Sequence, residues 1–214
     1  MLIVSLTGGI ATGKSVVSQI LKDLGCYIHY SDLVAHQLLA PHKPAWKKIL
    51  DRFGPTILKP DNTINRGKLG SIVFSNNEDR FFINELLHPL VFKEKEKEII
   101  RLKNEGLYNI FVSEAALTVE AGYAHFFDKI IVTHCQINVQ IKRLMKRDGI
   151  NQTDALKRIE SQMPSEQKLE YADYSIDTTG TLEETIDQSE QVFRVLMSDY
   201  KNLHGNSHDK KRKI

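Results

Sequence analysis

Cysteine is scarce in these 214 residues: Cys26 and Cys135 stand alone, with no metal-ligand spacing, which excludes a disulfide framework and leaves free buried thiols as the expectation. No apolar stretch approaches the roughly twenty residues needed to span a bilayer. The opening Met1-Leu2-Ile3-Val4-Ser5 reads as a buried strand and not as a charged-then-apolar export signal, so a cytoplasmic protein without membrane attachment is expected. There is no internal repeat and no Asn-Lys-x-Asp guanine-reading motif. Excess charge is also lacking, with 29 Lys and Arg against 27 Asp and Glu. Four of the basic residues, Lys210, Lys211, Arg212 and Lys213, crowd the end of the chain beside Asp209, leaving a nearly neutral body. Binding to nucleic acid needs a sustained basic face, so that class is set aside and residues 204–214 read as a solvated, disordered tail.

What the chain does have is concentrated near its start. Gly8-Gly9-Ile10-Ala11-Thr12-Gly13-Lys14-Ser15 spells G-x-x-x-x-G-K-S between an apolar run, Leu2-Ile3-Val4-Ser5-Leu6, and a helical pattern. Such a loop binds phosphate: glycines let successive N–H groups face an anion, and the following helix presents its positive end to it. Lys14 would reach the β- and γ-phosphates, and the Ser15 hydroxyl would ligate magnesium. Gly8, Gly9, Ala11, Thr12, Gly13, Lys14, Ser15 and Val16 are therefore the expected nucleotide-binding residues.

The rest of the pattern alternates strands and helices. Residues 14–24 read as a helix with Val17, Ile20, Leu21 and Leu24 inward, residues 26–29 as a strand, and residues 33–39 as a helix. Residues 45–107 read as mostly helical, broken at Gly54-Pro55, Pro60-Asp61-Asn62, Asn76-Asn77 and His88-Pro89, with the alternating charges of residues 93–98 as a solvated face. Nearly continuous apolar strands follow at 109–112 and 129–133, then a helix at 136–147, a polar helical segment at 151–171 and a short strand at 174–177. A closing helix at 181–200 would turn Leu182, Ile186, Val192, Val195 and Leu196 inward. This predicts one doubly wound α/β domain over 1–203: a core of 1–32, 108–147 and 172–203, a helical acceptor-binding insertion at 45–107, and a lid at 148–171.

Ligands of such folds gather at the carboxyl ends of the strands, so polar residues just past those ends are the candidates. Asp32 could cap a helix, or accept a proton from an attacking hydroxyl or help organise magnesium, and capping does not exclude the chemical role. Glu114 could face the magnesium shell or solvent; Glu120 reads as structural or substrate-facing, and His88 as a loop histidine or a substrate contact. Arg143, Arg147 and Arg158 suit a closing lid, because guanidinium groups stabilise the charge spread over a moving phosphoryl group.

These residues together resemble the dephospho-coenzyme A kinase family over most of the chain. The resemblance rests on Leu6-Thr7-Gly8-Gly9-Ile10 with Gly13-Lys14-Ser15, Asp32 before Ala35-His36, and Leu87-His88-Pro89-Leu90-Val91. It continues through Glu114-Ala115-Ala116-Leu117, Glu120-Ala121-Gly122-Tyr123, Arg143-Leu144-Met145-Lys146-Arg147-Asp148, Ala155 with Arg158-Ile159 and Gln162, Lys168, Ala172-Asp173-Tyr174, and Ile176-Asp177 with Gly180. It implies a P-loop NTPase-type three-layer fold. It also implies transfer of the ATP γ-phosphoryl group to the 3′-hydroxyl of 3′-dephospho-coenzyme A, with Mg2+, in a monomer or small homo-oligomer. By the same resemblance Asp32 activates the hydroxyl, Lys14 and Ser15 hold ATP and magnesium, Arg143 and Arg147 serve the nucleotide and the lid, and His88 and Glu114 face the acceptor. Residues 178–180 would lie near the adenine. The family commonly carries a second aspartate two residues before Asp32, where this chain has Tyr30. A nucleoside or nucleoside-monophosphate kinase is the alternative that shares the loop.

Overall fold

In the computed structural model, residues 1–209 are described, and they divide into two compact units: Met1–His29 with the chain from Arg101 onward, and Tyr30–Ile100. The core unit is built on a five-stranded parallel sheet of order β2-β3-β1-β4-β5, flanked by helices. Its strands are β1 (Leu2–Gly8), β2 (Tyr27–Tyr30), β3 (Ile110–Glu114), β4 (Lys129–His134) and β5 (Tyr174–Asp177). β1, β3 and β4 bury nearly every residue, which explains their unbroken apolar reading. The register pairs Leu6 with Glu114 on one side of β1 and Gly8 with Thr133 on the other. The central strand thus delivers its carboxyl end between the ends of its two neighbours, where a doubly wound sheet places its ligands.

Helix α1 (Lys14–Asp23) leaves β1 through the glycine loop and packs against α9 (Leu182–Asp209) and the sheet. The N-terminus of α9 closes with a capping box: Thr181 Oγ1 accepts from the Glu184 amide at 3.1 Å, and a Glu184 carboxylate oxygen accepts from the Thr181 amide at 2.8 Å. Its inward stripe differs from the apolar one expected. Thr185, Ser189, Val192 and Leu196 are buried, whereas Leu182 and Val195 are exposed. The two hydroxyls fit because each donates to a carbonyl one turn back, Thr185 to Thr181 O and Ser189 to Thr185 O, so no polar atom is stranded. α9 also runs through Asp209, past the start of the tail expected to be disordered. His204, one turn on from Tyr200, hydrogen-bonds the Tyr200 carbonyl through Nδ1 and the Met1 amino group through Nε2. The basic run at 210–214 lies outside the described residues.

The helical unit carries α2 (Ser31–Leu38), α3 (Pro44–Phe53), α4 (Arg66–Ser75) and most of α5 (Asn77–Glu105). It begins at Tyr30, earlier than the insertion read at 45. Its own core gathers Ile49, Ile57, Ile64 and Leu69 with Phe82, Ile83 and Leu86 of α5. That packing accounts for a second difference: α5 continues through His88-Pro89 where a break was expected, because tertiary burial outweighs the missing proline amide. The charge run is not wholly solvated either. Lys95 is only 5% exposed, on the same stripe as buried Ile99.

Between α6 (Ile137–Asp148) and β5 lie α7 (Gln152–Glu160) and α8 (Ser165–Leu169), two helices where one polar segment was read. No helix among the described residues is long and apolar enough to cross a membrane. The two cysteines are free thiols; burial pushes Cys26 up to about 12 and raises Cys135, so neither is an activated nucleophile.

Candidate active site

The loop between β1 and α1 is shaped by what surrounds it. A Cβ on Gly8 would stand 2.4 Å from both the carbonyl oxygen and the hydroxyl of Thr133, so no side chain fits there. Gly13 (φ 88°) turns the chain into α1, and Ala11 (φ 59°) holds a left-handed conformation that a non-glycine residue adopts at a cost of about 1 kcal/mol. Thr12 is fully buried; its hydroxyl donates to Gly9 O at 2.8 Å and lies 2.9 Å from the Thr133 hydroxyl. Its backbone, and not its side chain, is what the loop can offer a ligand. Lys14 folds over the loop, its ammonium donating to the carbonyls of Gly8 and Gly9 at 2.9 Å each.

Beside the loop, the Ser15 hydroxyl donates to Glu114 Oε1 at 3.3 Å, while Glu114 Oε2 is buried with no hydrogen-bond partner. A buried carboxylate oxygen left unsatisfied is costly unless something positive completes it. A hydroxyl and a carboxylate are the oxygen donors a hard divalent cation takes, so this pair fits magnesium. The fold thus brings Glu114 and Ser15 together.

One face of α6 runs along the loop. Gln140 Nε2 donates to Ile10 O at 2.6 Å, and one turn on Arg143 places both terminal nitrogens on Thr178, at 2.9 Å to the hydroxyl and 2.6 Å to the carbonyl. Thr178 in turn donates to Thr12 O at 2.9 Å, so Arg143 supports the loop through an intermediary. Arg147, a further turn along, is gripped by its neighbour Asp148 (Nε 2.7 Å, Nη2 3.2 Å), which also accepts from Arg158 at 2.6 Å. The Arg147 hydrogen bonds, with the two guanidinium charges, hold the Asp148 carboxyl below the usual range despite its partial burial. Glu120 is structural: it pairs at 2.7 Å with the fully buried Lys168, which also donates to Ala116 O at 2.7 Å.

Asp32 and His88 belong to the helical unit. Asp32 is exposed in the first turn of α2, whose N-cap is Tyr30 with no side-chain cap bond, so Asp32 does not cap that helix. His36, one turn further on, has a buried Nδ1 with no partner; burial and the nearby Arg66 lower its pKa against the pull of Asp32, keeping the ring neutral at pH 7. His88 is half-buried within α5, not in a loop.

A phosphate loop on the central strand, a serine–carboxylate pair beside it and an arginine-bearing helix along it define a kinase core. The family whose model is described as dephospho-CoA kinase matches residues 2–184. The chain belongs to the dephospho-CoA kinase family. A dephospho-CoA kinase of Carboxydothermus hydrogenoformans is 44% identical to this chain over 194 residues, covering 91% of it and 92% of the relative. A solved Campylobacter jejuni dephospho-CoA kinase superposes with a TM-score of 0.65 at 29% identity, covering 91% and 96%. A Thermus thermophilus structure does so with a TM-score of 0.75 at 25% identity, covering 92% and 97%. The chain is accordingly a phosphotransferase of coenzyme A biosynthesis, and the nucleoside-kinase alternative is not favoured.

For a dephospho-CoA kinase core, the sequence pointed to the loop, Glu114 and the arginines but not to what braces the loop at Ile10. Gln140 had no role assigned, and Gln162, whose Oε1 accepts from the Ile10 amide at 2.8 Å, entered only as part of the family pattern. The spacing of Gln140, Arg143 and Arg147 on one helical face was the signal available for the first of them.

Proposed function

We propose that the loop of residues 8–15 holds the triphosphate of ATP and that Asp32 accepts the proton of the acceptor's ribose 3′-hydroxyl as the γ-phosphoryl group moves to it. The bond from the 3′-oxygen to phosphorus forms, the bond from phosphorus to the β,γ-bridging oxygen breaks, the proton passes to the Asp32 carboxylate, and ADP and coenzyme A leave. The observation that carries this reading is Lys14 poised on the carbonyls of Gly8 and Gly9 next to the Ser15–Glu114 pair, with an unspent carboxylate oxygen. On binding, the Lys14 ammonium exchanges those carbonyls for phosphate oxygens. The loop amides and the N-terminus of α1 hold the β-phosphate in place. Arg147, and Arg143 beside residues 178–180, stabilise the charge spread over the transferring group and orient the nucleotide. Ser15 and Glu114 would hold magnesium, which when bound neutralises charge on the phosphoryl oxygens. His88 faces the acceptor in this reading. Such a transfer needs positioning and charge stabilisation more than covalent participation, so a single carboxylate suffices as base.

The test is Asp32→Asn, measured with ATP and dephospho-coenzyme A. Loss of a general base lowers turnover by roughly a hundredfold or more, while the affinity for ATP stays near wild type. Turnover at the wild-type level would remove Asp32 from the mechanism.

A further inference from the structure

The peptide groups flanking Ile10 are held from two directions by two glutamines far apart in the chain. The Ile10 amide donates to Gln162 Oε1 at 2.8 Å, and the Ile10 carbonyl accepts from Gln140 Nε2 at 2.6 Å. Gln140 sits on α6 and is 4% exposed; Gln162 lies just past α7, in the segment between α6 and β5. The two bonds fix successive peptide planes immediately before Ala11, the non-glycine residue in a left-handed conformation. In a trans peptide the carbonyl and the next amide point opposite ways, so drawing Ile10 O toward Gln140 turns the Ala11 N–H away from it. A cavity of about 340 Å³ adjoins the clamp, lined by Gly9, Gln140 and Gln162 together with Ile137, Ile159 and Met163.

We propose that Gln140 and Gln162 are positioning residues that set the loop in its phosphate-binding shape, and that Gln162 couples triphosphate affinity to the placement of the segment after α7. The inference rests on the reading of residues 8–15 as the triphosphate site. By linkage, a segment that stabilises the binding-competent loop is itself stabilised when the triphosphate binds.

The polarity of the two bonds supplies the test. Gln162 is an acceptor here and Gln140 a donor, so Gln162→Glu keeps its bond and Gln140→Glu loses it. Both variants add one negative charge beside the same peptide, so repulsion of the triphosphate is common to the two and their difference reads the hydrogen bond. With a non-hydrolysable ATP analogue in titration calorimetry, Gln162→Leu weakens binding roughly fivefold to tenfold. Gln140→Glu weakens it at least tenfold more than Gln162→Glu does. The KM for dephospho-coenzyme A and the far-ultraviolet circular dichroism stay unchanged. Amide exchange over residues 149–164 slows when the analogue binds the wild type and does not slow in Gln162→Leu. Equal losses in the two glutamate variants, or an unchanged affinity in Gln162→Leu, overturn the clamp. Lys14→Met separates the two levels: if it leaves analogue affinity intact, the triphosphate reading of the loop fails regardless of the glutamines; if it abolishes binding while Gln162→Leu does not weaken it, the clamp alone fails.

Discussion

Replacing Lys95 with methionine stabilises this protein near neutral pH and flattens its stability above pH 8. The ammonium sits within α5 with 5% of the residue exposed and Nζ 5.8 Å from the centre of the Phe92 ring. Burial lowers its pKa from the ordinary 10.5 to about 8. The folded state therefore disfavours the charged form. Below pH 8 both folded and unfolded chains carry the proton, and the folded state bears the whole penalty. Between pH 8 and about 10.5 only the unfolded chain still binds it, so stability rises with pH through that window. At 1.36 kcal/mol per pH unit the penalty comes to about 3 kcal/mol. Methionine keeps the length and apolar stem of lysine while removing the charge, at the loss of the ammonium's contacts, among them a cation–π contact of about 0.5–1 kcal/mol. The expected net gain at pH 7 is about 2 kcal/mol, vanishing by pH 10. Urea unfolding of both proteins at pH 7, 8, 9 and 10 measures it, and taking the difference removes every other titrating group. Parallel stability curves from pH 7 to 10, or a variant less stable at pH 7, would refute the assignment of a depressed pKa to this side chain.

Two further outcomes follow from geometry near the site. Gly8→Ala forces a methyl group within 2.4 Å of the Thr133 carbonyl at a φ of 149°; calorimetric titration will find binding of an ATP analogue lost, and thermal unfolding will show a drop of several degrees, since neither backbone can yield cheaply. Lys168→Met removes the cation that pairs with Glu120 at 2.7 Å and donates to Ala116 O, while the part-exposed carboxylate keeps the Met163 amide; the loss is about 1–3 kcal/mol in urea unfolding, and adding Glu120→Gln recovers part of it by removing the unpaired charge.

The sheet and its loop were legible because local signals and tertiary structure agree there. Strands covered on both faces are continuously apolar, and a loop that must hug phosphate is written in glycine with a lysine at its end. Lys95 was hidden because alternating charges at 93–98 imitate a solvated face, whereas burial is decided by the stripe it shares with Ile99. The inward face of α9 was hidden for the opposite reason: Thr185 and Ser189 look polar in a list of residues, yet satisfy their hydroxyls within the helix and pack like small apolar groups. Pro89 marks a break in sequence and stays helical in the fold, because the surrounding turns are held by Phe82, Ile83 and Leu86. In the site, Glu114 reads from sequence as facing metal or solvent, and its 3.3 Å contact with the Ser15 hydroxyl, 99 positions away, is visible only in the fold. The bonds from Gln140 and Gln162 to Ile10 span 130 and 152 positions of the chain, a distance over which no periodicity speaks.

The ion pair between buried Lys168 and part-exposed Glu120 has a mechanical meaning for the stretch that leaves α6. At its near end Gly149 (φ 66°) supplies a left-handed joint; at its far end α8 is bolted to the body of the core through that ion pair and the Ala116 carbonyl. Between joint and bolt the arc of residues 149–164 is tied by Arg158 to Asp148, by Gln162 to the Ile10 amide and by the Met163 amide to Glu120. The stretch is therefore anchored to the core unit at both ends, and a change that cuts either anchor alters how the residues between them are held.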